Sequence, residues 1–184
     1  MKVLVVVDMQ KDFVNGSLGS PEAQAIVPNV KKKVEEAVKN GDVIVYTRDT
    51  HFTDYLKTKE GKKLPVEHCM YKTEGWNILD EVLPPFTYEY TRVCDKYTFG
   101  FDKLPELIKT MLLDNGVWND CTEIELVGLC TDICVVSNAL LIKSAFYEDF
   151  DISVDATCCA GVTPESHEAA LKTMEMCQIN VKRG

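Results

Sequence analysis

The chain has no run of the roughly 18 apolar residues that a membrane-crossing helix needs. Positive charge is also scarce, with 20 lysines and arginines against 29 aspartates and glutamates in 184 residues, a net charge of −9. The first absence argues against a membrane partner. The second argues against nucleic acid, because the one basic run, Lys31-Lys32-Lys33, shares its segment with Glu35 and Glu36. Histidine occurs only three times and tryptophan twice. The early apolar stretch Val3 to Val7 is too short, and wrongly flanked, for a secretory signal. Cysteine, by contrast, is abundant at eight residues. Disulfide frameworks belong to short secreted chains with small cores, whereas 46% of this chain is apolar. That is enough for one domain over residues 1–184 with a sizeable core. The expectation is reduced thiols in a cytoplasmic protein.

Strand and helix signals alternate along the chain. Lys2 to Val7, Val43 to Thr47, Tyr88 to Cys94, Ile124 to Gly128, Ile152 to Val154 and Ile179 to Val181 read as strands. Helices are expected at Pro21 to Lys39, capped by Ser20 and closed by Asn40-Gly41, and at Lys103 to Leu113, capped by Asp102 and stopped by Asn115-Gly116. Two more are expected at Val135 to Ala145 and Pro164 to Met176. Apolar strands separated by helices predict a three-layer α/β sandwich, with a mainly parallel central sheet and helices on both faces. Open sheets of this kind place their sites beyond the carboxyl ends of the strands. Asp8, Asp49, Cys134 and Asp155 each follow an expected strand, which predicts their convergence on one edge.

Cys134 lies in Gly128-Leu129-Cys130-Thr131-Asp132-Ile133-Cys134-Val135. With Thr131 as N-cap it falls in the first turn of a helix, where free N–H groups and the helix dipole favour a thiolate. A small apolar packing cysteine is the alternative. Asp8 interrupts an apolar run, so burial is expected to raise its pKa and suit it to proton transfer; a turn aspartate is the alternative. Lys96 stands in the aromatic turn Asp95-Lys96-Tyr97-Thr98-Phe99-Gly100-Phe101 and is either solvated or beside Cys134, lowering its pKa. The polar segment from Asp49 to Gly75 has little periodicity and holds Asp49, His51 and His68. Two imidazoles and a carboxylate suit Zn²⁺, Fe²⁺ or Mn²⁺ with open positions, although such spacing is a weak motif and loop histidines are often ordinary surface residues.

In combination these segments resemble the isochorismatase-like cysteine hydrolases, and within them the nicotinamidase branch, over nearly the whole chain. Val7-Asp8-Met9-Gln10-Lys11-Asp12-Phe13 is similar to the family's opening motif, Lys96 to its catalytic lysine, and Gly128 to Val135 to its nucleophile motif. Asp155-Ala156-Thr157 is similar to its late strand end. The resemblance implies a catalytic triad of Asp8, Lys96 and Cys134, an oxyanion hole from the backbone of Cys130 and Cys134, and a cis peptide at Leu129-Cys130. It also implies one divalent ion, Zn²⁺ before Fe²⁺ or Mn²⁺, on Asp49, His51 and His68. Phe13 and Leu64 are the candidate substrate contacts, with Leu64 near the place where the branch commonly carries a tryptophan. The implied reaction is hydrolysis of nicotinamide to nicotinate and ammonia through a thioester. Another small amide, carbamoyl or ureido substrate, or an inactive small-molecule binding protein, is the alternative. Whether chains pair into a homo-oligomer is left open by the sequence.

Overall fold

Val3, Val5 and Val7 point to one side of the first strand and Leu4 and Val6 to the other, all within 2% of complete burial. A strand apolar on both faces must be covered on both, which is the arrangement found in the computed structural model covering residues 1–184. Six strands, β1 (Lys2–Val7), β2 (Val43–Asp49), β3 (Thr91–Lys96), β4 (Glu123–Leu129), β5 (Asp151–Ala160) and β6 (Asn180–Lys182), form one sheet in the order β3-β2-β1-β4-β5-β6. All the neighbouring strands run parallel. Helices α1 (Lys11–Val14), α2 (Pro21–Ala25) and α3 (Val27–Asn40) precede β2, and α4 (Leu104–Asp114), α5 (Val136–Ala145) and α6 (Pro164–Met176) follow β3.

The core divides into two layers. Leu104, Ile108, Ile142 and Leu171 from α4, α5 and α6 pack on Val3, Val5, Ile124 and Val154. On the opposite face, Ala23, Val30 and Val34 pack on Leu4, Val6, Ile44 and Val127. The strand order reverses between β1 and β4, so the two chains leaving those strands part and open a crevice at the carboxyl edge.

Local chemistry sets several boundaries. Ser20 accepts from the Ala23 N–H to open α2, and Thr163 with Ser166 forms a capping box on α6. Gly41 (φ 73°) ends α3 in the left-handed region that favours glycine. The helix expected over residues 21–39 is instead two, α2 and α3, broken at Ile26. Pro28 has no N–H to continue the first helix, but is well placed near the start of a new one. Asp102 does not cap α4: Lys103 holds that position without a side-chain bond, and Pro105 sits in the first turn. The third strand begins and ends later than expected. Tyr88 bonds instead through its hydroxyl to the Asp42 carbonyl, and the ladder carries Lys96 opposite Asp49.

Candidate active site

Gly128 shows how tightly β1 and β4 approach below the crevice. Its φ is 114°, and a Cβ there would lie 2.1 Å from the Val7 carbonyl oxygen. Next to this contact, Asp8 leaves β1 in the left-handed region (φ 48°), a conformation that an aspartate tolerates better than most residues. The turn sends its carboxylate into the crevice, fully buried. Thr47 donates to Asp8 Oδ1 at 2.6 Å, and Lys96 Nζ lies 2.7 Å from Oδ2. Oδ2 nevertheless accepts no well-directed hydrogen bond. Lys96 Nζ is also 3.2 Å from Asp49 Oδ1 and 3.5 Å from Cys134 Sγ. Three distant segments therefore meet on one ammonium group.

Burial governs the protonation of this group. It raises the Asp8 carboxyl, helped by the Asp49 charge and opposed by Lys96. It would lower Lys96, but the Asp8 charge above all, with that of Asp49, outweighs it and keeps the ammonium protonated. It also pushes the Cys134 thiol well above its ordinary value, with the Asp8 charge adding and Lys96 opposing. The expected low thiol pKa is thus not met, because Cys134 is 5% exposed and faces a carboxylate. A thiol beside a carboxyl with raised proton affinity forms a proton-transfer pair.

The segment that presents Cys134 also differs from expectation. Thr131–Val135 is a π turn continuous with α5, and Cys130, in extended conformation, occupies the cap position without a side-chain bond. Such turns frequently occur at functional sites. Thr131 does not cap; its hydroxyl bonds to His167 Nδ1 at 2.8 Å. Asp132 accepts from the Val162 N–H and the Ser166 hydroxyl, tying the Cys134 turn to the start of α6. The Leu129–Cys130 bond is trans, as are all others, the isomer favoured by about 3–4 kcal/mol for non-proline residues.

Asp49, His51 and His68 come together with Glu60, which the sequence reading did not single out. One ligand-type atom from each lies within 4.8 Å of all the others. His51 Nε2 is buried without a hydrogen-bond partner, 2.9 Å from Asp49 Oδ2. His68 Nδ1 bonds to the Val66 carbonyl at 2.8 Å, which turns Nε2 toward Asp49 and Glu60. Burial would raise Asp49, but the close approach of the His51 and His68 imidazoles, with the Lys96 charge, holds its carboxyl far below the usual range. An unpartnered buried nitrogen, a second imidazole oriented by a carbonyl and two carboxylates fit a divalent ion such as zinc.

Several supports were not legible as such. The Gln10 side chain donates to the Asp49 carbonyl and accepts from its N–H, at 2.9 and 2.7 Å, clamping the end of β2. Asp12 accepts from the Cys69 N–H at 2.7 Å and so fixes His68 from the first loop. Tyr55 is fully buried, with its ring 4.5 Å from that of His51 and 5.1 Å from that of His68. The long segment after β2 is therefore packed around its own aromatic centre. Phe13, Leu64, Cys130, Cys134, Asp49 and His68 all border one cavity of about 280 Å³, completed on its apolar side by Leu18, Phe99, Ile133 and Val162. Phe13 stands with its ring 5.5 Å from that of His68. Asp155 is not part of this edge. β5 continues to Ala160 past an irregularity, and Asp155 pairs instead with Lys33 at 2.7 Å.

None of the eight cysteines is paired, and no helix is long and apolar enough to cross a membrane. A nicotinamidase of Saccharomyces cerevisiae is 24% identical in an alignment covering 98% of this chain and 99% of that protein. The pyrazinamidase of Pyrococcus horikoshii, solved in complex with zinc, is 28% identical with a TM-score of 0.79, covering 100% of this chain and 99% of that one. The N-carbamoylsarcosine amidase of Thermoplasma acidophilum is 29% identical with a TM-score of 0.76, covering 100% and 96%. The Isochorismatase domain family matches residues 2–182, and with the sheet, crevice and Cys134 turn described above, the chain belongs to that family.

Proposed function

We propose that this protein is a metal-containing cysteine amidohydrolase, with nicotinamide as substrate and nicotinate and ammonia as products. The observation that carries the reading is the position of Lys96 Nζ, 2.7 Å from Asp8 and 3.5 Å from Cys134, with Cys134 bordering a cavity that Asp49 and His68 also border. Asp8 takes the thiol proton and the sulfur attacks the amide carbonyl carbon, forming the C–S bond. Lys96 stays protonated and offsets the charge that moves between Asp8 and Cys134. Backbone N–H groups of Cys130 and Cys134 face the developing oxyanion. Asp8 returns its proton to the amide nitrogen, the C–N bond breaks, and ammonia leaves a thioester. Asp8 then deprotonates a water that attacks the thioester carbonyl, and the departing sulfur recovers a proton as the acid is released.

Asp49, His51 and His68, with Glu60 beside them, would hold the divalent ion, which supplies a Lewis-acid anchor for a ring nitrogen or a water. Zinc is the proposed metal, on the chemistry of these donors. Phe13 and Leu64 flank the ring. The relatives that support this reading are the nicotinamidase and the pyrazinamidase. Residues 1–184 are proposed to act as one cytoplasmic domain in pyridine salvage, with a small amide rather than nucleic acid or membrane as partner. Likeness to N-carbamoylsarcosine amidase at 29% identity favours a carbamoyl compound as the second reading.

Ammonia release from nicotinamide by zinc-supplied protein, beside Cys134→Ala, tests the proposal. Release by the wild type and its loss in the variant are expected. Release from a carbamoyl amino acid but not from nicotinamide would establish the second reading.

A further inference from the structure

The active-site cavity does not end at its apolar wall. Glu60, Leu64, Phe99 and Ile133 also border a second hollow of about 390 Å³, nearer the surface. A residue that lines two cavities is the partition between them. Leu64 and Phe99 are 38% and 46% exposed, so this partition is built from surface side chains rather than from a buried wall.

The two hollows differ in charge. The inner one carries Asp49, Glu60 and His68 beside Cys134. The outer one carries Lys59 and Lys63, with Tyr97 and Thr98 opposite. Both lysines are exposed and neither forms an ion pair. Glu60, the acid between them in sequence, has its carboxylate 3.7 Å from His51 Nε2 and 3.9 Å from His68 Nε2, within the proposed metal cluster. In a chain of net charge −9, two unpaired lysines beside the reactive cavity are a local reversal of sign.

We infer that the outer hollow is an anion subsite, and that the chain binds amides carrying a carboxylate tail on the side away from the scissile bond. This rests on the amidohydrolase reading. The amide lies at Cys134, a flat apolar body passes the partition of Leu64, Phe99 and Ile133, and the carboxylate reaches Lys59 and Lys63. Ammonium groups on flexible stems suit an anion whose position varies, and a water-exposed pair attracts it modestly and in a salt-dependent way.

The test is calorimetric binding to Cys134→Ala protein supplied with zinc. One ligand is nicotinamide bearing a propionate tail on its ring, and the other has a hydroxymethyl group in place of the carboxylate. The carboxylate compound is expected to bind roughly 5- to 10-fold more tightly, for two exposed charges. Half-molar salt, or K59E with K63E, removes that preference. Equal affinities, binding of neither compound, or a preference that survives charge reversal would overturn the subsite. Ammonia release from nicotinamide by wild-type protein is measured in parallel. Its absence alongside an intact anion preference counts against the substrate reading and not against the subsite.

Discussion

Two charged clusters occupy the same sheet, and their difference separates chemistry from scaffolding. Away from the crevice, Lys2, Lys33 and Lys182 meet Glu123, Glu125 and Asp155, with pairs at 2.5 to 3.3 Å. Cations balance acids, and the Lys2 and Lys182 side chains keep 43% and 37% of their surface in water. In the crevice, Asp8 and Asp49 share the single cation Lys96, and none of the three is more than 3% exposed. Asp8 Oδ2 and His51 Nε2 are left without directed hydrogen bonds. The first cluster is satisfied by its own members. The second is unbalanced, with two carboxylates on one ammonium, and leaves a buried imidazole nitrogen without a partner, features typical of a functional site.

The contrast is broken most severely at Asp8. Asp8→Asn keeps the shape of the carboxyl but removes the proposed base, and ammonia release should fall by about 10²- to 10⁴-fold with thermal unfolding little changed. An active Asp8→Asn enzyme would place the base elsewhere. Lys96→Met leaves two buried carboxylates without their cation, which should cost about 3–5 kcal/mol of stability in denaturant unfolding. Adding Asp8→Asn to it should recover part of that loss, since one of the uncompensated acids is gone. A Lys96→Met protein as stable as wild type would show that the crevice is not under the electrostatic strain described.

Gly128→Ala tests the backbone contact that sets Asp8 beside β4. A positive φ and a Cβ 2.1 Å from the Val7 carbonyl predict a loss of about 2–4 kcal/mol. Glu60→Gln should weaken metal binding roughly 10- to 100-fold while His51→Ala removes it, read by elemental analysis after dialysis. Equal metal content in all three proteins would reduce the cluster to a hydrogen-bonded loop anchor.

The smallest effect belongs to the balanced cluster. Burial would raise Glu123, but hydrogen bonds from Lys182, Lys2 and Ser153 hold it down to about 2. A depressed carboxyl stabilises the fold above its unfolded value, near 4.5, and this contribution disappears as pH falls through about 2. Glu123→Gln should therefore cost less than about 1 kcal/mol at neutral pH, discounted for solvent screening. It should cost nothing in acid, as followed by unfolding at several pH values.

Much of this organisation was legible because it is periodic or local. Apolar alternation marked the strands, Ser20 and Gly41 marked the bounds of one helical region, and Pro164 to Met176 matches α6 residue for residue. Asp49, His51 and His68 could be grouped because they share one segment. Glu60 stands in that same segment, but one acid among several lysines there carries no local sign that it turns inward. Gln10 and Asp12 act through contacts to residues 39 and 57 positions away, and the Tyr55 hydroxyl donates to the Leu64 carbonyl 9 positions on, none of which a spacing rule encodes. Asp155 shows the reverse: an acid after an apolar run is expected at the crevice edge, whereas a register shift keeps it inside β5 and against Lys33.

The likeness of three motifs to a known family put Asp8, Lys96 and Cys134 forward as a set, whereas the sequence by itself determined that a parallel sheet would be covered on both faces. Side-chain polarity and periodicity are properties of short segments, and they suffice for that. Only the tertiary structure decided that one buried ammonium serves two carboxylates and a thiol. It also made the resting cysteine a poor acid rather than a good one, because desolvation depends on what the rest of the chain packs around a group.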